Sequence, residues 1–399
     1  MEELKKNAYD LLIKNRKTVG NIQYTVPSPQ NYPYQWLWDS CFHAIVLSYL
    51  SPKDAKKELL SLVAKQFNNG MIPHMIYWEK KKPFGNDNLT INWGKEDTSS
   101  ITQPPMLAYA ALSIYKKDND KNFLSQIYPN IKRFYNYLLK DRDPRGNHLI
   151  GIINPDESGE DNSPRFDIPL GNLSPQHTLS ENTKRRLDLV AQNLACDFDA
   201  PFCMRNFFWV KDVPFNALFV ANLDALSEIA KIFEEENDAR YYEHQKHTVA
   251  RAMRDFMLED GIYWSTYGTD YNKIKVRTWA MFAPLFARLY TDEEAENVIF
   301  NHLLNEDEFW AQFPVPTVAM DESSFDPAGF WRGPTWIATN WFIYKGLLNY
   351  SQTDIANGIK DSSVKLIEKS GFREFFDPKT GEGYGATNFT WGALVLDMN

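Results

Sequence analysis

"DSCFHAIVLSYL" at 39–50 is followed almost at once by "PKDAKKELLSLVAKQF" at 52–67. The first stretch is apolar nearly all round a helix. The second carries one apolar stripe and one charged face. A helix that is apolar on every side has to be buried on most of them, whereas a striped helix covers a core and meets water. The same two kinds alternate along the chain. "TQPPMLAYAALSIY" (102–115), "VPFNALFVANLDALSEIA" (213–230), "RTWAMFAPLFARLY" (277–290), "GPTWIATNWFIYKGLL" (333–348) and "FTWGALVLDM" (389–398) are of the first kind. "EELKKNAYDLLIKNRK" (2–17), "KNFLSQIYPNIKRFYNYLLKD" (121–141), "DARYYEHQKHTVARAMRDFML" (238–258), "EEAENVIFNHLL" (293–304) and "TDIANGIKDSSVKLIEKS" (353–370) are of the second.

About six buried helices interleaved with about six striped ones satisfy burial if the first set forms an inner ring and the second an outer ring. The expected fold is therefore all-α, an (α/α)6 toroid. No linker or shift in composition divides the chain, so a single domain over 1–399 is expected. Chain direction alternates in such a ring, and the segments before residues 39, 102, 212, 277, 333 and 390 then share one mouth. Loops on a rigid scaffold are where function tends to sit. Residues 143–211 interrupt the even spacing as a long excursion, and a connection of that length is usually a lid or a binding loop.

Composition narrows the partners. A net charge of −9 argues against nucleic acid, whose binding draws on dense lysine and arginine. The basic clusters "KKNAYDLLIKNRK" (5–17) and "EKKKP" (79–83) read as a solvated helix face and a loop. Cys41, Cys196 and Cys203 are odd in number and lack CxxC spacing, which fits a reducing compartment. The first residues read as an amphipathic helix and not as a signal peptide, and no apolar run reaches membrane-spanning length. A cytoplasmic location is expected, and the oligomeric state is not fixed by these features. The aromatic share of 15% is high, and flat rings with polar tips suit a groove that stacks sugars as well as they suit a core.

Within the excursion, "DESGEDNSP" (156–164) gathers Asp156, Glu157, Glu160 and Asp161 with no lysine or arginine among them. "GFREFFDPKTGEGYGATNFTW" (371–391) sets Glu374 between Phe372 and Phe375, as an exposed strand-edge residue or as a carboxylate held in an aromatic cleft. Glycosidic hydrolysis needs one carboxylic acid to protonate the leaving oxygen and one carboxylate to activate water or attack the anomeric carbon. Two loops of one mouth could supply the pair. Other chemistries fit less well. His43 and His74 are too separated for a helical metal pair, no HExxH or phosphate-binding glycine loop occurs, and Ser158 and Ser163 sit in no nucleophile elbow.

With "QWLWDSCFHA" (35–44), "TQPP" (102–105), "DESGEDNSPRFD" (156–167), "FWRGPTWIATNW" (330–341) and "FREFFDPKTGEGYGATNFTW" (372–391) in view, the chain resembles glycoside hydrolase family 63. Within it, the small bacterial mannosylglycerate and glucosylglycerate hydrolases are the nearest in pattern. The resemblance spans nearly the whole chain and implies an inverting α-glycosidase. It places the general acid at Asp161 and the general base at Glu374, with Glu382 as the fallback. Crowding by Glu157 and Glu160 is expected to raise the Asp161 pKa by like-charge repulsion and desolvation. The family often carries tryptophan directly before ESG, where this chain has Asp156.

By the same resemblance Trp36, Trp38 and Asp39 line the terminal sugar's pocket, and Gln103, Trp331, Arg332, Gly333 and Trp336 complete its wall. Carboxylate and amide groups exchange hydrogen bonds with hydroxyls, and indole faces stack on a sugar's C–H face. Asp39 at a helix start also fits an N-cap. Arg332 fits either a structural carboxylate partner or a clamp on an acidic aglycone such as glycerate. The expected reaction is hydrolysis of a small α-glucoside or α-mannoside with a carbohydrate as the only partner and no metal or cofactor. Two rivals remain, a sugar epimerase or isomerase on the same toroid, which would want histidines in the mouth, and a non-catalytic sugar-binding protein.

Overall fold

The computed structural model describes residues 2–79, 91–172 and 178–398, and the chain is mostly helical. Helices α1 (Glu2–Lys14), α2 (Leu37–Leu50), α3 (Pro52–Val63), α4 (Leu107–Asp118) and α5 (Lys121–Asp141) precede the excursion. Two more, α6 (Leu179–Ala195) and α7 (Ala200–Asn206), lie inside it. Then come α8 (Val213–Ile232), α9 (Glu236–Met257), α10 (Ala283–Phe286), α11 (Asp292–Val298), α12 (Ile337–Asn349) and α13 (Thr353–Ser370). A 3-10 helix, Thr390–Asp397, follows them.

The two sequence patterns sort as burial demands. Every residue of α2 from Leu37 to Ser48 is buried. By contrast α5 buries the stripe Phe123, Leu124, Ile127, Ile131, Phe134 and Leu138, and starts where Asp120 accepts the N–H groups of Asn122 and Phe123. The buried elements touch in succession: α2 packs on α4, α4 on α8, α8 on α10, α10 on α12, α12 on the 390–397 turn, and that turn on α2. The striped helices lie against them, α3 on α2, α5 on α4, α9 on α8 and α13 on α12. One continuous cluster of buried apolar side chains runs from Ala8 to Met398.

Several stretches differ from expectation for identifiable reasons. Helix α4 begins at Leu107 and not at 102, because Pro104 and Pro105 bias the backbone before them away from the helical region. Residues 277–290 give only a 3-10 turn, Trp279–Phe282, and the single turn α10, after which Arg288 takes a left-handed φ of +52° and ends the run. Short antiparallel hairpins punctuate the helices, among them Arg373–Phe376 with Gly383–Thr387. The excursion is not all loop. Its helix α6 opens on a capping box in which Glu181 N–H donates to Thr178 Oγ1 (3.2 Å) and Thr178 N–H donates to Glu181 Oε2 (2.6 Å). The "EKKKP" stretch beyond Glu79 lies outside the described residues. Among the described residues no helix is long and apolar enough to cross a membrane.

One buried ion pair fastens the excursion to the helices. Arg142 caps the C-terminus of α5, and its Nη1 and Nη2 each donate to Glu157 at 2.6 Å, with both side chains at most 1% exposed. The remaining capacity of the pair is used: Glu157 also accepts the N–H groups of Thr102 (3.0 Å) and Ile153 (2.8 Å), and Arg142 Nε donates to Tyr137 Oη (2.9 Å). Removing one partner of such a pair leaves an uncompensated buried charge and costs about 3–5 kcal/mol. Glu157→Gln is therefore expected to lower stability by that order in urea denaturation, and a loss under about 1 kcal/mol would show that the pair does not anchor the fold.

Candidate active site

The acidic segment starts as a 3-10 turn, Pro155–Ser158, capped by Asn154, whose Oδ1 accepts the Asp156 N–H at 3.0 Å. Gly159 ends it with φ +73°, and a Cβ there would lie 2.2 Å from the Trp38 ring, so only glycine lets the turn press on that indole. The carboxylates then part ways. Glu157 belongs to Arg142. Glu160 accepts from Arg165 (3.0 and 3.2 Å) and from Trp279 Nε1 (2.8 Å), and Arg165 also reaches Asp212 (3.1 Å). Asp161 is left facing a cavity, with Arg186 Nη1 of α6 at 2.6 Å from its Oδ2.

Glu157 and Glu160 are thus held by arginines of their own and are not what crowds Asp161. Its carboxyl is nevertheless pushed up to about 6, chiefly by burial; Arg186 works against this and Asp156 adds to it.

Glu374 reaches the same cavity from the strand Arg373–Phe376. It is 5% exposed, which removes the exposed strand-edge reading. Its Oε1 accepts Tyr32 Oη at 2.5 Å and its Oε2 accepts the Ala386 N–H at 2.7 Å. Gly385, with φ +64°, lets the facing strand come this near, since a Cβ there would sit 2.3 Å from Oε2. Burial pushes Glu374 up to about 7; the bonds from Tyr32 and Ala386 oppose the rise, and the charges of Asp161 and Asp39 reinforce it. Glu382 is exposed at the hairpin turn and does not line the cavity.

Asp39 sits in the first turn of α2, while Trp36, on the short strand Gln35–Trp36, holds the N-cap position with extended backbone. Asp39 is therefore no N-cap. Its Oδ1 accepts Trp391 Nε1 at 2.6 Å, and burial raises its carboxyl to about 6 against His43 and that indole bond. Gln103 accepts the Trp38 N–H at 3.4 Å. Trp331 and Trp336 stack face to face, ring centres 3.8 Å apart and planes 5° from parallel, with Phe375 against Trp336 at 5.0 Å. Trp36, Trp38, Asp39, Gln103, Trp331 and Trp336 all line the cavity with the two carboxylates.

Arg332 and Gly333 are not among the lining residues. Arg332 makes a two-pronged pair with Asp167 (2.8 and 3.1 Å) and donates to the Asn162 carbonyl (3.3 Å), which ties the tryptophan segment to the acidic one. The Gly333 N–H donates to Thr317 Oγ1 at 3.1 Å.

Sequence reasoning did not single out Tyr32, His74, Trp93, Phe330, Phe389 or Trp391 as lining residues, nor Arg186 as the partner of Asp161. The aromatic run around "NYPYQW" carries a signal for Tyr32. His43 lies inside the core, its Nε2 2.6 Å from Thr390 Oγ1, and it is His74 that borders the cavity, with Nδ1 2.6 Å from Ser99 Oγ. Among the described residues no group of three or more His, Cys, Asp or Glu side chains is placed to hold a metal ion. The arrangement offers two proton-holding carboxyl groups, a third carboxyl and an amide for hydroxyls, and indole walls for a ring's apolar face.

Known proteins resemble this chain over nearly its whole length. Residues 32–392 match the model of the mannosylglycerate hydrolase MGH1-like glycoside hydrolase domain. A mannosylglycerate hydrolase from Thermus thermophilus is 32% identical over 93% of this chain and 95% of its own. A glucosylglycerate hydrolase from Mycolicibacterium hassiacum is 26% identical over 94% and 93%. Among solved structures, a family 63 mannosylglycerate hydrolase of Thermus thermophilus, in complex with Tris and D-glycerate, superposes with a TM-score of 0.89 at 31% identity, covering 99% of both chains. The chain is accordingly a glycosidase and belongs to the MGH1-like mannosylglycerate hydrolase family, within glycoside hydrolase family 63.

Proposed function

We propose that this glycosidase hydrolyses a small α-glucoside or α-mannoside carrying an acidic aglycone such as glycerate, with inversion at the anomeric carbon, Asp161 serving as general acid and Glu374 as general base. The observation that carries this reading is the pair of protonatable carboxyl groups, from distant parts of the chain, facing one indole-walled cavity. The glycerate aglycone rests on the names of the relatives. The scaffold is a single-domain (α/α)6 toroid spanning 1–399, a reading supported by the closed succession of helix contacts and the continuous core. Cys41, Cys196 and Cys203 are free thiols, which supports a cytoplasmic location.

In the reaction Asp161 gives its proton to the glycosidic oxygen as the bond from that oxygen to the anomeric carbon breaks. Glu374 takes a proton from a water that forms the new bond to the same carbon on the opposite face. The Tyr32 hydroxyl and Ala386 N–H fix the Glu374 carboxylate, and Asp39 and Gln103 hold sugar hydroxyls. The tryptophan walls exclude bulk water. Facing carboxylates titrate as a pair, and the productive form carries one proton, on Asp161, with Glu374 ionised; because Glu374 is pushed higher than Asp161, this is the less populated of the two singly protonated forms. Below about pH 6 both are protonated and the base is lost; above about pH 7 both are ionised and the acid is lost.

The pH profile of kcat is expected to be a narrow bell with its limbs near those two values, and a rate still rising above about pH 8 would contradict the pairing. On a substrate with a poor leaving group, Asp161→Asn is expected to cut kcat by roughly 10² to 10⁴ and leave ground-state binding largely intact. Turnover within about threefold of wild type would remove Asp161 from the role of acid. Proton NMR during the first minutes of turnover should show the β-anomer of the released sugar, and Glu374→Gln should suppress its formation; initial α-anomer would mean retention and a different role for Glu374.

A further inference from the structure

Arg186 is shared between two carboxyl groups. Its Nη1 lies 2.6 Å from Asp161 Oδ2, while Nη2 and Nε meet Asp156 at 2.5 and 3.2 Å. The guanidinium comes from α6 and Asp156 from the Pro155–Ser158 turn, so the contact joins two separate elements of the excursion on the acid's own carboxyl. Arg186 is buried. Alone, a buried guanidinium at this distance would hold Asp161 ionised and leave no proton to deliver.

We propose that Asp156 is a positioning residue for the general acid: by occupying two nitrogens of Arg186 it offsets the guanidinium's charge, so that Arg186 orients the Asp161 carboxyl through Oδ2 without drawing off its proton, and Oδ1 is left to serve the leaving oxygen. This rests on the assignment of Asp161 as acid. With Asp161 protonated the three groups sum to zero charge; with Asp161 ionised they carry a net negative charge in a buried place, which burial penalises. The carboxyl and hydroxyl groups facing it across the cavity point the same way, and the His74 imidazole, its Nδ1 on Ser99 Oγ, also borders the cavity. Glu374, from the strand Arg373–Phe376, and Asp39, from α2, are carboxyls, and Tyr32, from the segment before α2, is neutral while bonded to Glu374. Among the described residues, Arg186 is the cation that acts on Asp161.

Replacing Asp156 by asparagine keeps the shape and frees the guanidinium charge. Asp161 then ionises at lower pH, and the single proton of the pair rests still more on Glu374, the wrong partner. The two effects are linked: each unit by which the acid limb moves makes the productive form about tenfold rarer. A residue with a merely structural role would lower the rate and leave the limb in place.

The test measures kcat against pH for wild type, Asp156→Asn and Asp156→Glu. Two substrates are used, a glycerate-linked glycoside and the corresponding α-glycosyl fluoride, whose leaving group needs no proton. For Asp156→Asn on the glycoside, the acid limb should move at least about one unit toward low pH and the plateau should fall at least about tenfold. On the fluoride, read on its alkaline plateau where Glu374 is ionised in every variant, the loss should be under about threefold, and Asp156→Glu should restore both features. If Asp156→Asn melts below the assay temperature, Arg186→Gln supplies the opposite sign, an alkaline shift of the upper limb. An unmoved limb with a lowered plateau, or equal losses on both substrates, overturns the proposal. Asp161→Asn, run beside them, separates the layers: if it retains glycoside turnover, the acid assignment itself has failed, whereas if it abolishes turnover and Asp156→Asn moves no limb, only the role of Asp156 has.

Discussion

The ion pair between Arg142 and Glu157 is the constraint on which the active site hangs. Two charges taken fully out of water gain little net stability over apolar side chains of the same size, yet neither tolerates the loss of the other. Such a pair therefore specifies position more than it adds strength. Glu157 stands four residues before Asp161 and also accepts the Thr102 N–H, one residue before Gln103. A single carboxylate thus sets the excursion, the end of α5 and the segment leading into α4 in register. Arg165 repeats the device one step along, binding Glu160 and Asp212 and so fixing the turn against the start of α8.

This division of labour explains why so many acidic residues occur together. Glu157 and Glu160 serve as anchors, while Asp156 and Asp161 both border the cavity, with Asp156 paired twice to the Arg186 guanidinium. The counter-charges come mostly from other elements, and so the run looks unbalanced when read as a string. The opposite wall is rigid for a different reason. Trp331, Trp336, Phe375 and Trp391 pack ring on ring, and aromatic side chains with two torsions each lose little freedom when fixed. This wall has little freedom to reorganise, while Asp161 and Glu374 come from backbone held by ion pairs and by a hairpin.

Much of this was legible in the sequence because it rests on local pattern. Apolar-all-round against striped stretches predicted which helices are buried, and the clustering of carboxylates and tryptophans marked the segments that meet at the cavity. What escaped was decided by partners far away in the chain. The anchoring of Glu157 by Arg142 and of Asp161 by Arg186 depends on how the excursion folds back, and like-charge crowding was the natural reading of four neighbouring acids. Helix α6 was missed although "TLSE" at 178–181 spells its capping box, since the polar face of that helix resembled loop composition. Arg332 sat in the right motif, but its partner Asp167 lies 165 positions earlier, and no spacing rule connects them. The shortness of α10 follows from a left-handed turn at Arg288, a residue type that gives no such warning.

The bond from Trp391 to Asp39 spans 352 positions. It joins one wall of the cavity, laid down early in synthesis, to an indole that the ribosome adds long afterwards. Glu374 and its supporting Ala386 N–H also come late. A nascent chain can bury α2 to α5 against one another and still hold Asp39 without its partner and Asp161 without the facing Glu374. Competence therefore arrives in one step, once the strand pair and the indole have emerged, and not gradually along translation. Until then the growing chain has one side of its cavity and not the other.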